Sequence, residues 1–155
     1  MLKQRPPDQP FPLLLPFIAA LDIVACAVSP AARRLITAFW PGPLTLLLPA
    51  LPGLPPEIVG PGALVAVRVP GPCIAADICR RVGGPLVATS ANRRGAKPPA
   101  ETTEVDAAIA AEAELIVPGR AAGGLPSTIV ACDDAGYRIV RPGAVEESTI
   151  RGALR

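Results

Sequence analysis

The sequence predicts an α/β domain with a twisted, mixed open sheet and helices on its faces. Short apolar or β-branched runs alternate with helical segments of about ten residues. The 21 prolines and 14 glycines fall mainly at the joints between these segments. Of the 155 residues, 50% are hydrophobic and 18% are charged, which fits a single domain over residues 1–155.

An apolar run near the N-terminus, Phe11–Leu15, is predicted to be a buried strand. The run continues to Val28 and resembles a signal peptide, but Pro12, Pro16 and Asp22 interrupt it. These residues disfavour an exported segment or a membrane helix. We therefore expect a cytoplasmic protein that does not associate with membranes.

Helix and strand signals alternate along the rest of the chain. Ser29 and Pro30 form an N-cap and first-turn pattern, so a helix is expected to run from Pro30 to about Phe39. Further helices are expected at Pro72–Val82, where apolar residues recur at helical spacing, and at Thr103–Ala113. The remaining strands are expected at Leu44–Leu48, Leu64–Val69, Leu86–Thr89, Leu115–Val117, Thr128–Ala131 and Tyr137–Val140. A short polar turn joins the last two, which predicts an antiparallel hairpin.

The composition excludes several kinds of active site. With no histidine, the chain cannot form a Ser-His-Asp triad, a Cys-His pair or a histidine-ligated zinc site. Its net charge is only +2 and its cations are scattered, unlike those of a dedicated nucleic-acid-binding module. Four cysteines without C-x-x-C spacing are expected to be small buried residues in a reducing compartment: Cys26, Cys73, Cys79 and Cys132.

Two pairs of residues stand out as candidates for chemistry. Lys3 and Arg5 lie two residues apart, a spacing that suits a polyphosphate, although a solvated basic terminus is the alternative interpretation. Ser90 and Asn92 follow a predicted buried strand, where open α/β sheets bind their ligands. A local turn that satisfies its own backbone is the alternative there.

Two further candidate groups also lie at strand ends. Ser127 follows Gly123-Gly124, a glycine loop that is able to present backbone N–H groups to an anion, although no P-loop motif is present. Arg141 closes a predicted strand, and Arg68 lies near the end of another. An exposed charge explains each arginine alone, but the four groups together predict one anion-binding crevice.

Six segments carry a family resemblance when they are taken in order: KQRP at 3–6, FWPGPLTLLLP at 39–49, VAVRVP at 65–70, PLVATSAN at 85–92, PSTIV at 126–130 and RIVRPGAV at 138–145. Together they resemble the YrdC-like threonylcarbamoyl-AMP synthase family, in its short bacterial form, over nearly the whole chain. The family's fold is a twisted α/β sheet with an open, positively charged cavity, which agrees with the sheet predicted here.

The resemblance implies a nucleotidyltransferase reaction. L-threonine, bicarbonate and ATP, with Mg²⁺, would give threonylcarbamoyl-AMP and pyrophosphate. The product would serve tRNA threonylcarbamoyladenosine modification, so tRNA and the complex that transfers the threonylcarbamoyl group are the implied downstream partners.

The resemblance also implies roles for individual residues. The family's K-x-R…S-x-N signature, its P-S-T segment and its R-P-G segment are all present. Lys3 and Arg5 would be catalytic, and Arg5 and Ser127 would hold threonine or its carbamate. The implied ATP-binding residues are Lys3, Arg5, Arg68, Ser90, Asn92 and Arg141. No metal site made of protein side chains is expected.

The sequence departs from the family pattern at its front. Family members carry a further strand and a P-T-E-T-x-Y-G-L loop before K-x-R, so we expect a member that lacks this first strand and loop. Two other kinds of function stay open. One is the absence of catalysis, either in a module that binds tRNA or double-stranded RNA or in an inactive remnant. The other is the carbamoyl-adenylate-forming domain of hydrogenase maturation.

Overall fold

A computed structural model describes residues 9–93, 95–121, 125–133 and 136–155. Its seven strands are β1 (Leu13–Leu14), β2 (Leu44–Pro49), β3 (Val59–Gly60), β4 (Leu64–Arg68), β5 (Leu86–Val87), β6 (Thr128–Asp133) and β7 (Gly136–Arg141). The α-helices are α1 (Pro30–Phe39), α2 (Ile74–Val82), α3 (Ala107–Ala111) and α4 (Glu147–Ala153). Short 3₁₀ segments lie at Ile18–Ile23, Pro56–Ile58 and Thr102–Glu104.

All seven strands belong to one mixed sheet, which confirms the predicted fold class. The strand order is β5-β1-β4-β2-β6-β7, and β3 pairs with β4. Two pairs are parallel, β1 with β4 and β2 with β6, and the others are antiparallel. These directions bring the carboxyl ends of β4 and β7 to the same end of the sheet as the amino ends of β2 and β6.

One face of the sheet carries the core. In β2 the leucines at alternate positions, 44, 46 and 48, are fully buried, and so are Val65 and Val67 of β4 and Val130 of β6. Successive side chains of a strand point to opposite faces, so this alternation defines the inner face. Helix α1 contributes its own buried residues to this core and contacts β6 and α4. Thr45, Ala66 and Arg68 therefore belong to the other face.

The predicted start and end of α1 and the predicted end of α2 are confirmed, whereas α2 begins at Ile74 rather than at Pro72. The Ser29 hydroxyl oxygen accepts from the Ala32 backbone N–H at 3.2 Å, and Pro30 occupies the first turn. Gly83 ends α2 with a φ of 74°, in the left-handed region that glycine adopts without strain.

Several predicted elements are shorter than expected or wrong. The strands predicted at 11–15 and 86–89 are reduced to the two-residue strands β1 and β5, and the helix predicted at 103–113 is divided into a 3₁₀ turn and α3. The strand predicted at Leu115–Val117 is wrong, because the segment is exposed and pairs with no strand of the described sheet. Helix α4 was not predicted; its buried Ile150 packs into the core.

The prediction for the cysteines is half correct. Cys79 and Cys132 are buried, whereas Cys26 and Cys73 are exposed, and all four are free thiols. In the part of the chain that the structure covers, no helix is both long and apolar enough to cross a membrane.

Candidate functional site

A row of residues crosses the outer face of the sheet at one end. Leu46 of β2 pairs with Val67 of β4, so continuation of this antiparallel register places Thr45 opposite Arg68. Thr45 pairs in turn with Ile129 of β6, and Ile129 pairs with Arg141 of β7. Directly paired residues point to the same side of a sheet. The row therefore presents two arginines on one face, with a threonine hydroxyl between them.

Ser127 joins this row from the loop that enters β6. Its hydroxyl oxygen lies 2.8 Å from the hydroxyl oxygen of Thr45. One terminal nitrogen of Arg141 donates to the Ser127 carbonyl oxygen at 2.8 Å and to its hydroxyl oxygen at 3.2 Å. Ser127 thus connects β2 with the end of β7, and its position is set from both sides.

The chain segment around Ser127 packs closely against the segment that follows Arg141. This close approach is possible only because residue 143 is glycine. A Cβ atom at Gly143 would lie 2.2 Å from the Pro126 carbonyl oxygen, far closer than van der Waals contact. The Ala144 N–H donates to that same oxygen at 2.9 Å. The R-P-G and P-S-T segments, which are remote in sequence, therefore lie against each other.

The buried Thr128 fixes the same two segments on the inner face. Its hydroxyl donates to the Val145 carbonyl oxygen at 2.8 Å and accepts from the Val145 N–H at 2.9 Å. The Thr128 N–H donates to the Pro43 carbonyl oxygen at 3.0 Å, which ties β6 to the loop before β2. Three chain segments thus hold Ser127 at the sheet end.

The two arginines of the row lack a neutralising carboxylate among the described residues. Partial burial lowers the pKa of Arg68; the nearby Cys73 opposes this shift, and the charge of Arg141 adds to it. Loss of water around the guanidinium also lowers the pKa of Arg141. Arginine stays protonated at neutral pH despite such shifts. Two cations that repel each other and have a hydroxyl between them favour the binding of an anion.

Ser90 and Asn92 follow β5, and the direction of that strand is set by its pairing with β1. Strand β5 is antiparallel to β1, so the chain leaves β5 where β1 begins, and the Ala88 N–H donates to the Pro12 carbonyl oxygen at 2.9 Å. Arg68 is instead beside Leu14, at the end of β1. The sheet therefore brings Arg68, Ser127 and Arg141 to one end, and β5 ends at the opposite end; that all four groups face one crevice stays a prediction, because Lys3 and Arg5 lie outside the described residues.

Asn92 forms the local turn that was its alternative interpretation. Its side-chain nitrogen donates to the carbonyl oxygens of Arg93 at 3.0 Å and Ala96 at 2.6 Å. Its Oδ1 is buried and has no partner among the described residues. This residue lines a pocket of about 240 Å³ together with Lys97. Arg93 is paired with Asp106 at 3.0 Å, and this hydrogen bond lowers the pKa of the carboxyl group.

Three of the sequence-based candidates lie outside the described residues: Lys3, Arg5 and the Gly123-Gly124 pair. One residue of the row, Thr45, was not predicted. The only signal for it was a single hydroxyl in the leucine run of β2, at a position that faces away from the core. In the described ranges no cluster of three or more Cys, Asp or Glu side chains is placed to hold a metal ion.

Comparisons with known proteins agree on one family. The Sua5/YciO/YrdC family model, described as "Telomere recombination", matches residues 1–143. A threonylcarbamoyl-AMP synthase from Bacillus subtilis is 32% identical over 154 residues, which cover 98% of this chain and 44% of that protein. Another threonylcarbamoyl-AMP synthase, from Alkalilimnicola ehrlichii, is 43% identical over 122 residues, or 76% of this chain and 63% of that protein.

A solved structure extends the agreement to the fold. The crystal structure of P. abyssi Sua5 complexed with L-threonine superimposes with a TM-score of 0.91 at 30% sequence identity. The match covers 99% of this chain but 45% of that one. The chain therefore spans less than two thirds of the length of these relatives.

Proposed function

The chain belongs to the Sua5/YciO/YrdC family, and on that premise we propose that it is a threonylcarbamoyl-AMP synthase. The substrates would be L-threonine, bicarbonate and ATP, and the products threonylcarbamoyl-AMP and pyrophosphate. The observation that carries the proposal is the pair of arginines, Arg68 and Arg141, at one end of the sheet: Arg141 contacts Ser127, and neither arginine has a carboxylate partner within the described ranges.

The reaction needs charge neutralisation more than a titrating base. The threonine amine and bicarbonate give an N-linked carbamate with loss of one water molecule, and an oxygen of the carbamate then attacks the α-phosphorus of ATP. The bond from that phosphorus to the bridging oxygen then breaks, and pyrophosphate leaves with the electron pair. An anionic nucleophile must approach a polyanion, so fixed cations contribute most. The absence of histidine is compatible with this chemistry.

Arg68 and Arg141 are suited to the phosphate groups of ATP or to the leaving pyrophosphate. Guanidinium groups bind phosphate oxygens in a fixed fork geometry. Ser127, held beside Arg141, is placed to orient a phosphate or carbamate oxygen at the same end of the sheet.

The remaining site residues rest on the family resemblance. Lys3 and Arg5 are proposed as the catalytic cations, and Ser90 and Asn92 as further contacts to ATP. Strand β5 ends at the end of the sheet opposite to Arg141, so Asn92 and Arg141 are proposed to contact different parts of the substrates.

Magnesium is proposed to arrive with ATP. Mg²⁺ commonly binds through substrate phosphates and a few ligands, and the described residues offer no acidic cluster of their own. When bound, the ion would neutralise charge on the phosphates. The product would pass, in the cytoplasm, to the proteins that modify tRNA.

The test is pyrophosphate release by the 155-residue chain, with and without threonine and bicarbonate. We expect release that requires all three substrates, with threonylcarbamoyl-AMP identified by mass spectrometry. The substitutions Lys3→Ala and Arg5→Ala should each abolish it. Tight, salt-sensitive tRNA binding with no threonine-dependent ATP turnover would overturn the proposal in favour of an RNA-binding module.

A further inference from the structure

We infer that Thr45 is a positioning residue that makes the Ser127 hydroxyl a hydrogen-bond donor toward the bound anion. The inference rests on the proposed function, since it concerns the same end of the sheet. It assigns a role to the one residue of the row that has no charge and almost no exposure to solvent.

The environment of Thr45 fixes the direction of its hydrogen bond. Its residue exposure is 4%, and its Oγ1 lies 2.8 Å from Oγ of Ser127. In the described chain Ser127 is its only side-chain hydrogen-bond partner. A buried hydroxyl that does not donate loses the solvation of its proton, so Thr45 donates to Ser127.

Arg141 completes the arrangement. A guanidinium group only donates, so the 3.2 Å contact makes Ser127 Oγ an acceptor there as well. Both lone pairs of that oxygen are then occupied, by Thr45 and by Arg141. The remaining capacity of the Ser127 hydroxyl is its proton, which is free to point to an oxygen outside this network.

The reversed pattern is unfavourable. If Ser127 donated to Thr45, the Thr45 proton would be left in a buried position without an acceptor in the described residues. When Thr45 donates to Ser127 instead, the row offers only donors at its surface: two guanidinium groups and one hydroxyl proton. Such a site accepts anionic oxygens, and Thr45 contributes by fixing the direction of the hydroxyl rather than by touching the ligand.

The experiment measures binding of inorganic pyrophosphate to the 155-residue chain by calorimetry. Thr45→Val removes the donor at nearly constant volume, and it should weaken binding by about three- to tenfold, the effect of one neutral hydrogen bond. Thr45→Ser keeps the hydroxyl and should bind as the wild type does. Thr45→Ala is a second removal variant, used if the valine variant fails to fold by circular dichroism.

A double-mutant cycle separates positioning from a general structural effect. In a Ser127→Ala background, Thr45→Val should cause no further loss, because Thr45 acts only through Ser127. An equal loss in both backgrounds, or a loss in Thr45→Ser as large as in Thr45→Val, would overturn the inference. So would the absence of pyrophosphate binding to the wild-type chain.

The test of the proposed function and the test of the role of Thr45 can give opposite results. Threonine-dependent synthesis with identical pyrophosphate affinities in wild type and Thr45→Val rejects the role of Thr45 and keeps the activity. A hydroxyl-dependent loss of pyrophosphate binding in a chain that makes no threonylcarbamoyl-AMP keeps the role of Thr45 and rejects the activity.

Discussion

One guanidinium nitrogen of Arg141 donates to two oxygens of Ser127, the carbonyl at 2.8 Å and the hydroxyl at 3.2 Å. This contact joins the last residue of β7 to the residue before β6, so the orientation of the cation is built into the hairpin of these strands. Arginine carries five N–H groups, and the remaining donors of Arg141 have no partner among the described residues, so they are available to a ligand. The arginine is therefore held before any anion arrives.

Arg141→Ala is expected to weaken pyrophosphate binding by about 10- to 100-fold, the range for hydrogen bonds to a charged group. Arg141→Lys should recover only part of the affinity, because an ammonium group cannot reproduce the fork contacts. Calorimetric titration measures both. Arg151→Ala is the control, since Arg151 pairs with Glu147 at 3.1 Å on α4. A similar loss in that variant would show that net charge, not position, governs binding.

Gly143→Ala is expected to destabilise the fold strongly. The added methyl group would lie 2.2 Å from the Pro126 carbonyl oxygen and 2.6 Å from two further backbone atoms, so the chain beside Ser127 would have to move. Overpacking of this kind costs about 1–3 kcal/mol. Urea denaturation measures the free energy of unfolding.

Gly152→Ala is the matched control for that substitution. A Cβ atom at Gly152 meets nothing within 4 Å, and the residue lies within α4. Alanine in a helix is favoured over glycine, so this variant should gain about 0.5–1 kcal/mol. Equal stability of the two variants would contradict the steric explanation.

Thr128→Val is expected to destabilise the protein by about 2 kcal/mol or more, because it leaves the Val145 N–H and C=O groups buried without their partner. Thr128→Ser keeps both hydrogen bonds and should lose less. Thermal unfolding of the two variants makes the comparison. If valine were as stable as serine at this position, the hydroxyl would not join the two segments as described.

Local patterns predicted the elements whose residues are stabilised within their own segment. Ser29 and Gly83 fix the ends of α1 and α2, and the β-branched run of β4 packs into the core, so each follows from neighbours in sequence. The segment Leu115–Val117 is apolar enough for a strand, but a strand also requires a neighbouring sheet edge with which to pair. The sequence of the segment does not specify such an edge.

The candidate site likewise combines residues that local sequence patterns predict with contacts that only the tertiary structure creates. Ser127 and Arg141 were predicted because Ser127 lies in the P-S-T segment and Arg141 begins the R-P-G segment. The contact of Thr45 with Ser127 spans 82 positions of sequence, and the end of the sheet to which β5 leads depends on its antiparallel pairing with β1. Neither property is local, so composition and spacing did not reveal them.

The four thiols are expected to differ in reactivity with pH. Burial, together with the charge of Asp133, raises the pKa of Cys132 to about 11 from an ordinary 9.0, and burial also raises the pKa of Cys79. The thiolate is the nucleophile, so at about pH 8 the exposed Cys26 and Cys73 should be alkylated first. Mass spectrometry of timed iodoacetamide reactions identifies the labelled positions. Rapid labelling of Cys132 at that pH would contradict the burial of its thiol.

The same shift predicts a loss of stability in alkali. The neutral thiol is the form that the fold favours, so the contribution of Cys132 is complete below pH 9.0 and is lost as the pH rises toward about 11. The free energy of unfolding should fall over this interval more steeply in the wild type than in Cys132→Val, which cannot ionise. Cys26→Val, at an exposed position, serves as the control and should retain the wild-type slope. Parallel curves for wild type and Cys132→Val would show that the thiol ionises as readily in the folded chain as in the unfolded one.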